Sequence, residues 1–230
     1  MGLGHLQFEF HLLFLLRHPV LPPDVSMVAC TGGGRYGGAI IASVRLFYCL
    51  ELPDPVRDDL ARLSREFQLR IRGGSWVAPG NLHVTLRFLG EVGEELAASL
   101  AGLGQEAASR VESFGLFLDR FGAFPHPGRA RVLWVGPSQD SAPFAILAQQ
   151  VEEGVQALGF PPERRLAHPH VTLARLRIPQ DLAAVIGGAA SPALHARVDA
   201  LTLMQSELRP KGPLYTPVAR WALGGGHRAV

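Results

Sequence analysis

The tetrapeptide His-Val-Thr-Leu occurs twice in this chain, within NLHVTLRFLG at residues 81–90 and within HPHVTLAR at residues 168–175. In both copies apolar and polar residues alternate, and this pattern is typical of a β-strand with one buried face. Residues two apart point to the same face of a strand. Each copy therefore predicts a strand whose valine and leucine pack into the core, while its histidine and threonine share the other face.

The elements around the two copies repeat as well. Candidate helices at residues 54–69 and 142–158 precede the two HVTL strands, and candidate helices at residues 94–110 and 180–187 follow them. Two further strands complete each half, and one additional strand is expected at residues 44–50. We therefore predict an α+β fold built from a duplicated α-β-α-β-β unit, with two mainly antiparallel sheets flanking a central cleft and helices outside.

The repeat also predicts the domain boundaries. One domain is expected at residues 43–224, divided into lobes at about residues 43–136 and 137–224 that are related by a pseudo-two-fold axis. Residues 1–42 are interpreted as an N-terminal extension of uncertain order, and residues 225–230 as a C-terminal tail.

Composition narrows the class of protein. A formal net charge of +2 gives no general electrostatic case for nucleic-acid binding, although it leaves a local basic patch open. Cys30 and Cys49 form no CxxC motif, which favours a reducing, cytoplasmic location. The apolar run at residues 8–16 is too short to span a bilayer, so no membrane association is predicted.

The repeated polar pairs indicate a particular chemistry. If a pseudo-two-fold axis relates the halves, His83, Thr85, His170 and Thr172 line one cleft. A single His-x-Thr is common on a half-exposed strand and would not indicate a function. Two identical copies at matching positions favour a functional role for these residues. Two imidazoles with a pKa of about 6.5 suit an in-line displacement at phosphorus, one as base and one as acid. The hydroxyls can donate to phosphoryl oxygens, and no metal or cofactor is required.

Three further residues are candidates for substrate binding. Arg175 is the expected bidentate partner for a phosphate, although its odd spacing from His170 would put it on the opposite face unless it reaches over the strand end. Arg87, two residues after Thr85, is predicted on the same face as His83. Phe47 is a candidate for stacking on a base, with core packing as the alternative.

Longer blocks of the sequence carry a family resemblance. Together with the two HxTx motifs, these blocks resemble the RNA 2',3'-cyclic phosphodiesterases, also called 2'-5' RNA ligases, of the two-histidine phosphoesterases. They cover roughly residues 45–223 and read RLFYCLELPDPVRDDL, WVAPGNLHVTLRFLGEV, FGAFPHPGRARVLWVG, HPHVTLARL and SELRPKGPLYTPVARWAL. The resemblance implies metal-independent opening of a 2',3'-cyclic phosphate at an RNA end to a 2'-phosphomonoester, with 2'-5' ligation as the reverse reaction.

The same resemblance implies roles for the candidate residues. His170 would be the proton acceptor and His83 the proton donor, while the phosphoryl oxygens would be held by Thr85, Thr172 and Arg175. The expected partner is RNA with a cyclic phosphate terminus, and the expected state is a monomer. Two alternatives stay open: a phosphodiesterase for a small nucleotide such as ADP-ribose cyclic phosphate, and a non-catalytic RNA-binding module.

Overall fold

Ten strands and four helices form the part of the chain that the computed structural model describes, residues 43–163, 167–210 and 212–224. The predicted extension at residues 1–42 and the tail at 225–230 lie outside it. The strands are β1 (Ser43–Glu51), β2 (Gly74–Trp76), β3 (His83–Gly93), β4 (Phe114–Leu118), β5 (Arg120–Phe124), β6 (Ala130–Gly136), β7 (Val171–Gln180), β8 (Leu194–Val198), β9 (Ala200–Glu207) and β10 (Leu214–Ala222). The helices are α1 (Asp54–Gln68), α2 (Ala97–Ser109), α3 (Ala142–Ala157) and α4 (Ala183–Gly187).

Apolar residues at helical spacing attach the helices to the sheet. Helix α1 buries Val56, Leu60 and Phe67, and helix α3 buries Leu147 and Val151, all in one hydrophobic core. Pro55 stands in the first turn of α1, where its missing N–H is not needed. None of the helices in the described residues has the length and hydropathy needed to cross a membrane.

Eight of the strands form one antiparallel sheet in the order β10-β9-β1-β3-β7-β6-β5, with β2 paired to β7, while β4 and β8 pair separately. Strands β3 and β7 are joined through the single pair Val84–Val171. The sheet therefore consists of two antiparallel parts that meet at the two HVTL segments. The predicted α+β class with mainly antiparallel strands is confirmed.

The two halves of the sequence exchange strands. Strands β9 and β10 from the second half extend the part that contains β1 and β3, whereas β5 and β6 from the first half lie beside β7. The predicted division at residue 136 therefore does not separate the two parts of the sheet. Its central order, β9-β1-β3-β7-β6-β5, is nevertheless symmetric, because β6 lies beside β7 as β1 lies beside β3.

The two faces of the sheet have different environments. Val84, Leu86, Val171 and Leu173 are buried in the core on the helix side, as their alternation predicts. The opposite face carries a separate apolar cluster of Phe47, Cys49 and Met204, with Tyr215 packed against it. We call this opposite face the site face, because the polar residues of both HVTL segments point to it.

Candidate active site

The two HVTL segments bring their polar side chains together at the centre of the sheet. Val84 and Val171 are directly opposite in an antiparallel pair. Continuing that register by one residue to each side brings His83 next to Thr172 and Thr85 next to His170. The four residues predicted to line one site therefore share the site face, and all four are half-buried.

Both imidazoles are held by the same hydrogen bond. The Nδ1 of His83 lies 2.7 Å from the carbonyl oxygen of Asn81, and the Nδ1 of His170 lies 2.8 Å from the carbonyl oxygen of His168. A carbonyl oxygen only accepts, so each Nδ1 carries the hydrogen. Nε2 is therefore the nitrogen that can take up or release a proton in both histidines.

His83 lies between two aromatic rings and a hydroxyl group. Its ring centroid is 5.0 Å from that of Phe47 and 5.3 Å from that of Tyr215, which meets it edge-on at 85°. The Nε2 of His83 is 3.0 Å from the Thr85 hydroxyl oxygen. In the neutral imidazole the hydroxyl donates this bond, and in the imidazolium Nε2 donates it.

His170 lies against a second aromatic pair. Its ring centroid is 5.0 Å from Phe124, edge-on at 85°, and 6.2 Å from Trp134. The phenyl ring of Phe124 stacks on the indole ring of Trp134 at 5.3 Å. Gly122 makes this arrangement possible, because a Cβ atom there would come within 2.1 Å of the indole. The aromatic pair therefore packs along one side of the imidazole.

These surroundings change the acidity of both histidines. Burial lowers the pKa of His83 and of His170 below the usual value, because the imidazolium loses hydration. The hydrogen bonds to the Asn81 and His168 carbonyls act in the opposite direction. The positive charge of Arg175 lowers both pKa values further, so its guanidinium lies close enough to act on both rings.

A β-bulge in each HVTL segment decides where the following residues point. In β3, Thr85 lies opposite Cys49 but Arg87 lies opposite Tyr48, which leaves Leu86 without a partner. In β7, Thr172 lies opposite Trp134 and Ala174 opposite Leu133, so the residue between them is likewise unpaired. An extra residue in one strand reverses the alternation beyond it.

The bulge in β7 explains the position of Arg175. Ala174 is buried on the core side, and Arg175 is exposed on the site face opposite Val132. Arg175 therefore reaches the site without curling over the end of the strand, which corrects the interpretation drawn from strict alternation.

The bulge in β3 shows that Arg87 is not a site residue. Arg87 lies on the helix side, where its Nε is 2.7 Å from Glu152 Oε2 and its Nη1 is 2.6 Å from Glu163 Oε1. Its side chain is only 8% exposed. The prediction that Arg87 shares a face with His83 was wrong, because the bulge turns the strand between them. Phe88, 52% exposed, occupies the site-face position instead.

The aromatic predictions also need correction. Phe47 is 1% exposed and packs beneath His83, so in this structure it supports the imidazole and offers no free face to a base. Tyr215 was missed by sequence reasoning: it packs on His83, and Arg175 and Arg45 are among the charges that act on its pKa, which burial raises. Its segment GPLYTP stands within a block of family resemblance, but no motif marks the tyrosine.

Comparisons with known proteins identify a family. The sequence model of the LigT-like phosphoesterases matches the chain twice, at residues 50–134 and 135–215, with one HVTL segment in each match. The RNA 2',3'-cyclic phosphodiesterase of Aeropyrum pernix is 39% identical over 142 residues, 59% of this chain and 78% of that protein. The protein of the same name from Thermus thermophilus is 35% identical over 191 residues, 80% of this chain and 92% of that protein.

A solved structure extends the similarity to the whole described fold. Escherichia coli LigT in complex with 3'-AMP is 31% identical, with a TM-score of 0.67 over 79% of this chain and 99% of that one. The family model thus covers both HVTL segments, and the similarity covers 78%, 92% and 99% of the length of these three relatives. This chain belongs to the family of LigT-like phosphoesterases.

Proposed function

We propose that this chain hydrolyses 2',3'-cyclic phosphates at RNA ends and leaves a 2'-phosphomonoester. The observation that carries the proposal is the paired arrangement of His83 and His170, each with Nδ1 bonded to a backbone carbonyl and Nε2 available for proton transfer. The relatives from Aeropyrum pernix and Thermus thermophilus bear the name RNA 2',3'-cyclic phosphodiesterase, and Escherichia coli LigT binds a nucleoside 3'-monophosphate. The catalytic unit in this proposal comprises residues 43–224.

Each histidine has one role in the proposed displacement. His170 Nε2 takes a proton from water as the water oxygen bonds to phosphorus, and the bond from phosphorus to O3' breaks on the opposite side. His83 Nε2 gives its proton to O3', and the phosphate stays on O2'. The asymmetry of the site supports this assignment: the Thr85 oxygen, 3.0 Å from His83 Nε2, can accept a hydrogen bond from the imidazolium.

The remaining groups hold the phosphoryl oxygens. Thr85 and Thr172 offer neutral hydroxyl donors on either side of the pair. Arg175 offers a guanidinium, and no salt bridge occupies it within residues 43–163, 167–210 and 212–224. A fixed positive charge stabilises the additional negative charge that develops as water attacks.

The proposed reaction needs no metal ion, because acid, base and charge stabilisation all come from side chains. Among the described residues, no three histidines, cysteines or carboxylates converge as metal ligands. A ribose hydroxyl that attacks in place of water would give 2'-5' ligation through the same two proton transfers. The monomeric state and the cytoplasmic location stay predictions from the sequence.

A single assay tests this function. Purified protein is given an RNA that ends in a 2',3'-cyclic phosphate, with excess EDTA, and the position of the phosphate in the product is read by 31P NMR. We expect complete conversion to the 2'-phosphate, and no conversion by the His83→Ala/His170→Ala double variant. A 3'-phosphate product, or turnover that requires added zinc or manganese, would refute the proposed chemistry.

A further inference from the structure

A group of exposed arginines lies beyond the catalytic residues, around the far end of β7. Its members, which we call the arginine track, are Arg72, Arg129, Arg131, Arg175 and Arg177. None of the five forms a salt bridge with a carboxylate in the described part of the chain. Other exposed arginines do so, for example Arg62, Arg110 and Arg209. The positive charges of the track are therefore not paired in salt bridges within the described residues.

Arg131 and Arg177 lie close to Arg175 on the paired strands β6 and β7, because Val132 is the register partner of Arg175. Arg175 and Arg177 are exposed on the same side of β7, because the intervening Leu176 is buried. Two residues of a strand span about 7 Å. The Nη1 of Arg131 donates to the carbonyl oxygen of Arg177 at 3.4 Å, so the guanidinium of Arg131 lies beside the backbone of β7 at Arg177.

Backbone contacts bring Arg72 and Arg129 to the same end of the sheet. Gln180, the last residue of β7, lies opposite Ala130 and donates from Nε2 to the carbonyl oxygen of Arg72 at 2.7 Å. The N–H of Leu182 donates to the carbonyl oxygen of Pro127 at 2.8 Å, in the turn that ends at Arg129. The five arginines thus come from three separate segments, which lie along the second half of β7 and at its end.

One carboxylate lies next to this end and offsets one of its positive charges. Asp181 follows β7 directly, and its Oδ1 accepts a hydrogen bond from the N–H of Ala183 at 2.9 Å. It forms no salt bridge with the five arginines in the described part of the chain. The chain as a whole carries only +2. The local concentration of charge is therefore a property of the tertiary structure and is not visible in the composition.

We propose that the arginine track binds the phosphodiester backbone of RNA on the 5' side of the terminal cyclic phosphate. This inference rests on the proposed function and makes it specific for polynucleotides. Arg175 contacts the terminal phosphoryl group, and Arg177 and Arg131 contact the phosphates that precede it. The spacing of about 7 Å corresponds to the rise of about two nucleotides, measured along the axis of a stacked strand. Guanidinium groups bind phosphate oxygens in a matching geometry, and such contacts do not distinguish the bases. The track therefore favours longer RNA whatever its sequence.

The test compares substrates of different length. The Arg131→Gln/Arg177→Gln double variant and the wild type are assayed on a nucleoside 2',3'-cyclic phosphate and on an octanucleotide with the same end, at low and high salt. We expect the double variant to lose about 5- to 30-fold in kcat/KM on the octanucleotide and nothing on the mononucleotide. The salt dependence of log kcat/KM should become shallower by about 1.4, which corresponds to two lost phosphate contacts on a single strand.

A control removes one positive charge from an exposed position away from the track. Arg65 is exposed on α1, and it forms no salt bridge with a described residue. We expect Arg65→Gln to leave the preference for length unchanged. Three results would overturn the proposed role of the track. They are an equal loss with Arg65→Gln, an equal loss on both substrates, and a wild type without a preference for length.

The outcomes separate the track from the catalytic proposal. A wild type that turns over the mononucleotide without a preference for length keeps the proposed function and overturns the track. A wild type that turns over neither substrate overturns the proposed function. In that case the Kd of an octanucleotide that ends in a 2'-phosphate still tests the track, because the double variant should bind it about 5- to 30-fold more weakly.

Discussion

The two HVTL segments have identical letters but different surroundings. His83 lies under Tyr215, and its Nε2 is 3.0 Å from the Thr85 hydroxyl. His170 lies against Phe124 and Trp134, and no side chain of the described residues hydrogen-bonds to its Nε2. Acid and base catalysis in one displacement requires two imidazoles that differ in protonation. Duplication of the backbone supplies the symmetry, and the neighbouring side chains supply the difference.

The two copies also differ in the residue that stands three positions after each threonine. The bulges at Leu86 and Leu173 are equivalent, yet the site-face position after them is Phe88 in one copy and Arg175 in the other. The site therefore has a cation on the β7 side and an apolar ring on the β3 side. We infer that phosphate binding is concentrated on the β7 side, where the arginine track begins.

The largest effects should come from the two histidines. We expect His83→Ala and His170→Ala each to lower kcat by about 10²- to 10⁴-fold, the usual contribution of a positioned acid or base. The double variant should lose much less than the product of the two losses, because the pair acts as a unit. Single-turnover rates on an RNA with a cyclic phosphate end measure both losses.

A substrate with a good leaving group sharpens this comparison. A nitrophenyl phosphodiester scarcely needs protonation of the departing oxygen, so His83→Ala should recover most of its rate while His170→Ala should not. Recovery by His170→Ala instead would exchange the two roles. Recovery by neither would mean that the histidines position the substrate and do not transfer protons.

The next largest effects should distinguish the two arginines. Arg175→Ala should lower kcat/KM by about 10- to 150-fold, the loss expected for a charge-assisted hydrogen bond. Arg87→Ala should leave kcat/KM nearly unchanged and should lower the free energy of unfolding in urea by about 1–3 kcal/mol. That loss is smaller than for a fully buried ion pair, because Glu163 is half exposed. Equal losses of activity in the two variants would contradict the position of these arginines on opposite faces of the sheet.

The smallest expected effect is a shift of the pH profile. Burial lowers the pKa of both His83 and His170, so the form with one neutral and one protonated imidazole should be most populated below pH about 6.5. We therefore expect a bell-shaped profile of kcat/KM with its maximum on the acid side of neutrality. Arg175→Gln removes a charge that lowers both pKa values, so it should move the profile to higher pH. A maximum well above pH 7 would contradict the effect of burial.

The same shifts determine how stability depends on pH. Because the pKa of each histidine is lower in the folded protein than in the unfolded chain, the folded protein binds fewer protons. The contribution of these groups to stability is therefore complete above the unfolded pKa of about 6.5, and it is lost as pH falls through that value towards the folded pKa. Urea unfolding of His83→Ala and His170→Ala should show a weaker loss of stability on acidification than the wild type.

The sequence by itself determined the α+β class and the content of the central strands. Alternation within each HVTL segment is a local property, and it correctly put Val84 and Val171 in the core and the polar pairs on the other face. The repetition of the segment indicated that two such faces meet, and the antiparallel pair of these valines joins them. Alternation depends on residues within a few positions of one another, and the repeat is visible when two short segments are compared, so the sequence reveals both without a structure.

Only the tertiary structure decided the residues around that centre. A bulge is defined by the pairing with a neighbouring strand, which is β1 for Leu86 and β6 for Leu173. Without these partner strands, alternation alone could not show that Arg87 and Arg175 lie on different faces. Strands β9 and β10 lie in the part of the sheet with β3, whereas β5 and β6 lie beside β7. This exchange brings Tyr215 to His83 and Phe124 to His170 from the far ends of the sequence repeats. These positions follow from pairing between distant segments, which local sequence patterns do not encode.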